Sequence, residues 1–336
     1  ANFFNFIFNA FLGRALSFEE LGVVTLINTL SQIMALFIGG FGSAMNHKTA
    51  HLVASGEKEK SVVFLKSSVK RGLGVAFGIS IVWLLATPFL SSFFHITDPA
   101  VLILFMPAIS FAVVAAAYQG YMNGNLYFSL VAAIFLIESG VKLFTAVVLV
   151  SLRLNAWVFL AIPVSVIISA ISAYALVSYR IMPVTNSIVP EPFPGKFFVG
   201  SVFTGLATVL FLNIDIILVK HFLSPAQAGE YVFLALVGKM IYFFGSMPNM
   251  FTVTLVSRND GLGKDTDPIV RIIFAVTVVL VSVGAGLLGF FGHLIIPVLL
   301  GSKTFAILPF ISMYATALAL FTISNVLLKR KILQIQ

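Results

Sequence analysis

An all-α integral membrane fold, built as two parallel six-helix repeats, is predicted by three observations. These are an apolar composition, a series of long hydrophobic segments, and a motif order that recurs at a nearly constant offset. Of 336 residues, 60% are hydrophobic and only 10% are charged, with 35 Phe and a mean hydropathy of +1.08. Soluble domains are roughly half apolar and about a quarter charged. This chain has too few charges to solvate a globular surface, so it belongs in a bilayer. Cysteine is absent, which excludes disulfides and thiolate metal sites. The net charge of +8 is read as loop placement in a membrane protein, with no nucleic-acid partner.

A spanning helix needs about 20 mostly apolar residues. Ten segments meet or approach this: 1–16, 21–45, 71–94, 101–122, 126–150, 156–180, 197–219, 229–256, 269–296 and 305–328. Charged or Pro/Gly-rich joints separate them, among them "NHKTAHLVASGEKEK", "HITDPA", "SRNDGLGKDTDP" and "LGSK". Barrel strands would instead alternate over about 10 residues. The sequence opens inside an apolar segment, "ANFFNFIFNAFLG", without Met or a basic leader. A chain trimmed at both ends is therefore expected.

Lys and Arg orient the bundle. One set of joints carries fourteen of them, including Lys48, Lys58, Lys60, Lys66, Lys70 and Arg71. The other set carries four: Arg14, Arg153, Lys220 and Lys303. The basic set is expected to be cytoplasmic, and with it the N-terminus of a multi-pass protein of the cell inner membrane. The widest joint, "MPVTNSIVPEPFPGK", holds four prolines, which rule out a continuous helix. It predicts an N-terminal bundle over 1–181, a cytoplasmic linker over 182–196 and an incomplete C-terminal bundle over 197–336.

The two halves repeat. "LSFEELG" (16–22) returns as "LSPAQAG" (223–229), each between the first and second helix of its half. "PAIS" (107–110) followed by Asn123 returns as "PFIS" (309–312) followed by Asn325, with Pro, Ile, Ser and Asn at the same spacing. The offset spans six helices. An even number keeps both halves in one orientation, as in parallel-repeat transporters, whose substrate site lies between the halves. Twelve helices in all are expected, ten of them visible here.

Polar residues recur at helical spacing on four helices. They are Asn2, Asn5 and Asn9; Thr25, Asn28, Gln32, Gly39 and Asn46; Ser201, Thr204, Thr208 and Asp215; and Lys239, Tyr242, Ser246 and Asn249. Steps of 3, 4 and 7 place each set on one face. Such a face avoids lipid and turns to protein or water. One stripe alone reads as interhelical glue. Four stripes, on the first two helices of each half, predict a shared polar cavity.

Four charges fall inside predicted helices: Glu138, Lys142, Asp215 and Lys239. An intramembrane charge costs roughly 2.5–3.5 kcal/mol on insertion scales, so each requires a reason. Glu138 and Lys142 stand at i, i+4 in the favoured order, which fits mutual neutralisation. Asp215 and Lys239 fall at similar depths, which fits a structural pair. The functional readings make Lys239 an anion-binding point and Asp215 its partner, or a cation or proton site. Arg14 marks the outer end of the first helix, as an interfacial anchor or part of a cationic rim.

Familiar catalytic chemistry is missing. The sequence contains no HExxH, GxSxG, P-loop or dinucleotide-binding fingerprint. His47 and His51 stand at i, i+4 without a third ligand nearby, so no metal site is expected there. No cofactor is expected either.

The stretches "NIDIILVKHFLSPAQAGEY" and "ALVGKMIYFFGSMPNMFTVTLVSR" resemble the polysaccharide biosynthesis (Wzx-type) flippases of the multidrug/oligosaccharidyl-lipid/polysaccharide (MOP) superfamily. "FNAFLGRALSFEELGVVTLINTL" resembles that family's first two helices, and "LGSKTFAILPFISMYATALALFTISNVLL" its tenth. The resemblance implies two bundles around a central cavity, in the MATE-like arrangement, that opens alternately to either side. It implies lipid-pyrophosphate-linked oligosaccharides as substrates, and polysaccharide polymerase or assembly proteins as possible partners. Lys239, Lys142 and Arg14 are then the candidates for the pyrophosphate, with Asn9, Asn28, Gln32, Tyr242 and Asn249 lining the cavity. Asp215 and Glu138 are the candidates for ion coupling or charge pairing. The balance of two Lys against one Asp and one Glu departs from the strongly cationic cavity the family implies.

Gly39, Gly40, Gly42, Pro107, Pro248 and Pro309 are candidate flex points for alternating access. A MATE-type multidrug or organic-cation antiporter is the alternative. That branch often carries a carboxylate on the first helix, where this chain has only Asn2, Asn5 and Asn9. A membrane-embedded glycosyltransferase or polymerase would require acidic residues in sizeable outer loops, and the outer joints are short. A nontransporting scaffold would not require polar stripes on four helices.

Overall fold

The computed structural model describes residues 2–16, 18–93, 98–179, 191–222, 225–300 and 308–333. The described residues form eleven α-helices and two 3₁₀ turns, with no strand among them. The helices are α1 (Asn2–Ala15), α2 (Phe18–Ala54), α3 (Lys58–Phe93), α4 (Ala100–Gly124), α5 (Phe128–Ser151) and α6 (Ala161–Ser178), then α7 (Gly195–Phe222), α8 (Pro225–Gly245), α9 (Thr252–Gly261), α10 (Asp267–Leu300) and α11 (Leu308–Leu333). Seven of the described helical segments are long and apolar enough to cross a membrane. The protein is an all-α, multi-pass membrane protein.

Burial follows the solvent. Many large apolar side chains point outward: Phe144 is 70% exposed, Phe290 79% and Met313 80%. Small ones fill the interior, among them Ala44, Ala50, Ala117, Ala146, Ala170 and Ala173, together with Thr49, Ser139, Ser165 and Ser169. In water this distribution would be ruinous. In lipid the outer face loses nothing, and helices associate by close packing and hydrogen bonds between small residues.

The chain divides into two compact units, Ala1–Phe198 and Val199–Gln336. In the first, α4 packs on α2 and α3, while α5 and α6 pack against each other and α1 lies on α5. One core cluster joins Phe8, Leu12, Ile27, Leu102, Phe105 and Phe159. A second joins Met45, Leu52, Phe64, Leu65, Met122 and Ile134. Glycine sets the α2–α4 approach. A Cβ on Gly124 would fall 2.7 Å from Thr49 Cβ, so any larger residue would push the two helices apart.

The second unit repeats the pairing. There α11 packs on α8 and α10, as α4 packs on α2 and α3, and α8 contacts α10 as α2 contacts α3. The repeated motif sits on equivalent helices, with Pro107 inside α4 and Pro309 near the start of α11. The repeat is therefore present in helix pairing within each unit as well as in sequence.

Two boundaries differ from the sequence expectation. The joint "NHKTAHLVASGEKEK" is mostly helix: α2 runs to Ala54 and α3 starts at Lys58. Its Ala, Lys and Glu are good helix formers and it contains no Pro. The reversal is confined to a few residues around Gly56, whose φ of +81° is easily adopted by glycine. The eighth segment, expected unbroken over 229–256, ends at Gly245 and resumes at Thr252 after the 3₁₀ turn Pro248–Met250. Pro248 lacks the N–H that a continuous helix would use, and its ring clashes with the preceding turn.

Candidate functional site

In the first unit, α5 carries Glu138 and Lys142 one turn apart. Each side chain has turned to a different helix. Ser169 Oγ on α6 donates to Glu138 Oε2 at 3.0 Å. The Lys142 ammonium lies over the Phe8 ring of α1, 4.9 Å from its centroid. Among the described residues the two charges form no ion pair within 4 Å, though each stays within electrostatic reach of the other. Asn28 is half-buried on α2. Asn9, Arg14 and Gln32 lie on α1 and α2, but their side chains fall outside the described residues.

In the second unit, Asp215 on α7 is gripped by two phenols. Tyr231 on α8 donates to its Oδ2 at 2.9 Å. Tyr314 on α11 donates to the same oxygen at 2.6 Å. The two rings meet edge to face, with centroids 6.0 Å apart. Tyr314 gets there because Gly238 on α8 has no side chain: a Cβ at that position would run into the Tyr314 ring. Lys239 stands two turns beyond Tyr231 on α8, half-buried and within electrostatic reach of Asp215.

The other candidates of this unit have structural partners. Tyr242 joins an aromatic chain, with Phe321 at 5.8 Å and Phe211 stacked on Phe321 at 3.7 Å. Asn249 is buried in the 3₁₀ turn and accepts the Thr252 hydroxyl at 2.9 Å. Along the α7 stripe, Thr204 and Thr208 donate to carbonyls of their own helix. Thr208 also accepts from Asn325 Nδ2 at 3.2 Å. This repeated Asn is helix-to-helix glue, the bland reading of a single stripe.

Sequence reading did not single out Tyr231 and Tyr314 as ligands of Asp215. The available signal was faint. Tyr231 follows "LSPAQAG" by two residues and Tyr314 follows "PFIS" by two. No local pattern brings residues 99 positions apart together.

A second polar cluster in the first unit fastens the chain just before and at the start of α7. Glu191 Oε2 contacts Lys48 Nζ at 3.0 Å, and its Oε1 lies 3.9 Å from Lys60. Lys60 also pairs with Glu57 at 2.8 Å. His47 stacks on Phe197 at 4.4 Å, and Phe193 stacks on Phe41 at 5.5 Å. The charged groups and His47 lie outside the segments 21–45, 71–94 and 197–219 expected to span. The Lys48 ammonium, through its hydrogen bond, holds the Glu191 carboxyl below the usual carboxylate range. Burial, helped by His51 and Lys48, pulls His47 down to about 4. Among the described residues no group of three or more His, Cys, Asp or Glu is placed to hold a metal.

No protein-family model matches the chain, and no curated protein does. Solved structures match nearly its whole length. The Vibrio cholerae MATE transporter VcmN in its bent form shares 16% identity at a TM-score of 0.75, over 98% of this chain and 81% of that one. A MATE structure in a straight conformation gives 13% and 0.72, over 99% and 80%. A MOP-superfamily transporter from Pyrococcus furiosus, described as having a binding pocket of reverse polarity that suggests a different function, gives 14% and 0.71, over 99% and 80%. The chain shares the fold of these solved transporters, several of which are MATE proteins.

Proposed function

We propose that the protein is a transporter that flips lipid-pyrophosphate-linked oligosaccharides across the cell inner membrane by alternating access, for surface polysaccharide synthesis. One observation carries the reading: the intramembrane ammonium of Lys142 rests on the Phe8 ring, while Glu138 is bonded to Ser169. A cation–π contact contributes about 0.5–2 kcal/mol, so a pyrophosphate oxygen can displace it. Burying a cation in this way has a reason if an anion comes to meet it. Lys239 offers a second ammonium in the other unit. A hydrated pyrophosphate-sugar head cannot cross hydrocarbon unaided, whereas a polar path with lysines replaces its hydration and leaves the lipid tail in the bilayer. The basic joints are assigned to the cytoplasmic side, together with the N-terminus. Nothing in this reading calls for enzyme chemistry.

The test is transfer of a fluorescent pyrophosphate-linked glycolipid in proteoliposomes of the full-length protein. Lys142→Ala and Lys239→Ala are expected to abolish transfer at unchanged expression. Unchanged flipping in both variants removes the lysines from the site and sinks the proposal.

A second reading, a MATE-type multidrug or cation antiporter, is favoured by the Asp215 cluster. A carboxylate held between two phenols on three helices can serve as a proton or cation site, and MATE proteins share the fold. Against it, α1 contains no Asp or Glu. Drug/cation exchange without glycolipid flipping would select this reading.

A further inference from the structure

The six cations of the α2–α3 region divide into two groups. Lys48 and Lys60 are paired with Glu191 and Glu57. Lys58, Lys66, Lys70 and Arg71 are exposed. Among the described residues Lys66, Lys70 and Arg71 form no ion pair. The nearest acid on their own helix face is Glu59, two turns before Lys66.

The opposite face of this stretch is fixed. Ser61, Val62, Phe64, Leu65 and Ser68 are buried in the first unit. Lys66 and Lys70 therefore project away from the bundle, one turn apart on the outer face. The same face continues as hydrocarbon: Leu73, Phe77, Ile81 and Leu84 are all exposed, following Lys70 at helical steps of 3 and 4. From Gly72 to Phe93 α3 contains no charge at all. Those residues rise ~33 Å, close to the ~30 Å hydrocarbon thickness. The change from lysine to leucine thus marks the bilayer edge, with Lys66 and Lys70 at the level of the headgroup phosphates.

We propose that this face of α3 is a binding site for one anionic phospholipid. The ammonium groups of Lys66 and Lys70 take the headgroup phosphate, and an acyl chain lies along Leu73, Phe77, Ile81 and Leu84. Arg71, on the adjoining face, adds to the local positive field. From Lys70 to Leu84 the stripe is ~21 Å long, enough for one chain to follow it to mid-bilayer. Basic residues just outside a spanning helix are attracted to anionic lipid over distances set by the Debye length. The specific element here is the continuous stripe, which joins charge and chain on one helix face. The inference does not depend on the transported substrate.

The site can be tested in the full-length protein reconstituted into phosphatidylcholine bilayers. A fluorophore is placed at Gly74→Cys, where an added side chain meets nothing within 4 Å and where the 336 residues offer no competing cysteine. Quenching by brominated phosphatidylglycerol is compared with quenching by brominated phosphatidylcholine. Phosphatidylglycerol is expected to be preferred roughly five-fold or more. The preference should drop below about two-fold at high salt and vanish in Lys66→Gln/Lys70→Gln. Lys66→Arg/Lys70→Arg should keep it, showing that charge matters and that the fold survives. Equal quenching by the two lipids overturns the proposal, as does an unchanged preference in the glutamine variant. Displacement by inorganic phosphate at matched ionic strength also overturns it, because the ligand would then be soluble phosphate.

Discussion

Tyr314 donates its phenolic hydrogen to Asp215 Oδ2 at 2.6 Å across 99 positions of sequence. With Tyr231 on the same oxygen, one carboxylate ties α7, α8 and α11 together. Two neutral donors stabilise the carboxylate without cancelling its charge. In a low-dielectric interior such bonds are stronger than in water.

Removing one donor should therefore be felt in both stability and transport. Tyr314→Phe is expected to lose about 1.5–3 kcal/mol, the range for a hydrogen bond to a charged group. Tyr231→Phe, whose bond is longer, should lose less. Chemical unfolding in detergent reads the first effect and glycolipid transfer the second. Wild-type behaviour of the Tyr231→Phe/Tyr314→Phe double variant would show that the phenols are idle.

Asp215→Asn and Lys239→Gln separate a structural pair from a working one. The amide of Asn can still accept from both tyrosines, so Asp215→Asn should fold. Lys239→Gln should lose transfer, and adding Asp215→Asn should not restore it. Recovery of folding and activity in the double variant would mean that the two charges serve only to neutralise each other.

The contact between Lys142 and Phe8 can be weighed by a double-mutant cycle. Phe8→Leu with Lys142→Met should give a coupling of about 0.5–2 kcal/mol in unfolding. Glu138→Gln with Lys142→Met should couple more weakly, because Glu138 is bonded to Ser169. A stronger Glu138–Lys142 coupling would contradict the separate partners seen here.

Acid should loosen residues 191–198 from the first unit. The Glu191 carboxyl is held below its ordinary 4.5. Its contribution is present above that value and disappears as pH falls through the lower, folded one. His47 is favoured as the neutral form, with a folded value of about 4 against 6.5. Its contribution is complete above 6.5 and is lost progressively toward 4, since His47 takes up a proton once the segment is released that it rejects while the segment is docked. Both groups act in the same direction. Hydrogen exchange of a peptide covering 191–198 should accelerate roughly ten-fold between pH 7.5 and 5 beyond the intrinsic change. His47→Phe should remove most of that acceleration while keeping the stack on Phe197. The same acceleration in His47→Phe would exclude His47 as its cause.

The repeat and the helices were legible in the sequence because both are carried by spacing. "PAIS" with Asn123 and "PFIS" with Asn325 lie on α4 and α11, which occupy equivalent places in their units. The four intramembrane charges were legible as well, since each interrupts an apolar run. Their partners were not. Helical periodicity says that Lys142 and Glu138 share a face, but it cannot say that one turns to α1 and the other to α6. Tyr231 and Tyr314 escaped notice because a tyrosine in a membrane helix is unremarked until the helix opposite it is known. The break at Pro248 was foreseen as a flex point but not as the end of a helix. The continuation of α2 and α3 beyond the bilayer was hidden because charge was read as loop.

The space that Gly238 leaves for Tyr314 makes two distant positions answerable to each other. A methyl group at 238 would evict the tyrosine from its place beside Asp215, whereas a smaller residue at 314 would leave a hole that a larger one at 238 could fill. Among homologous sequences, bulk should therefore trade between these positions, with glycine at 238 wherever tyrosine stands at 314. Where the exchange has run the other way, the carboxylate at 215 loses its nearer phenol and should have a different ligand or be absent.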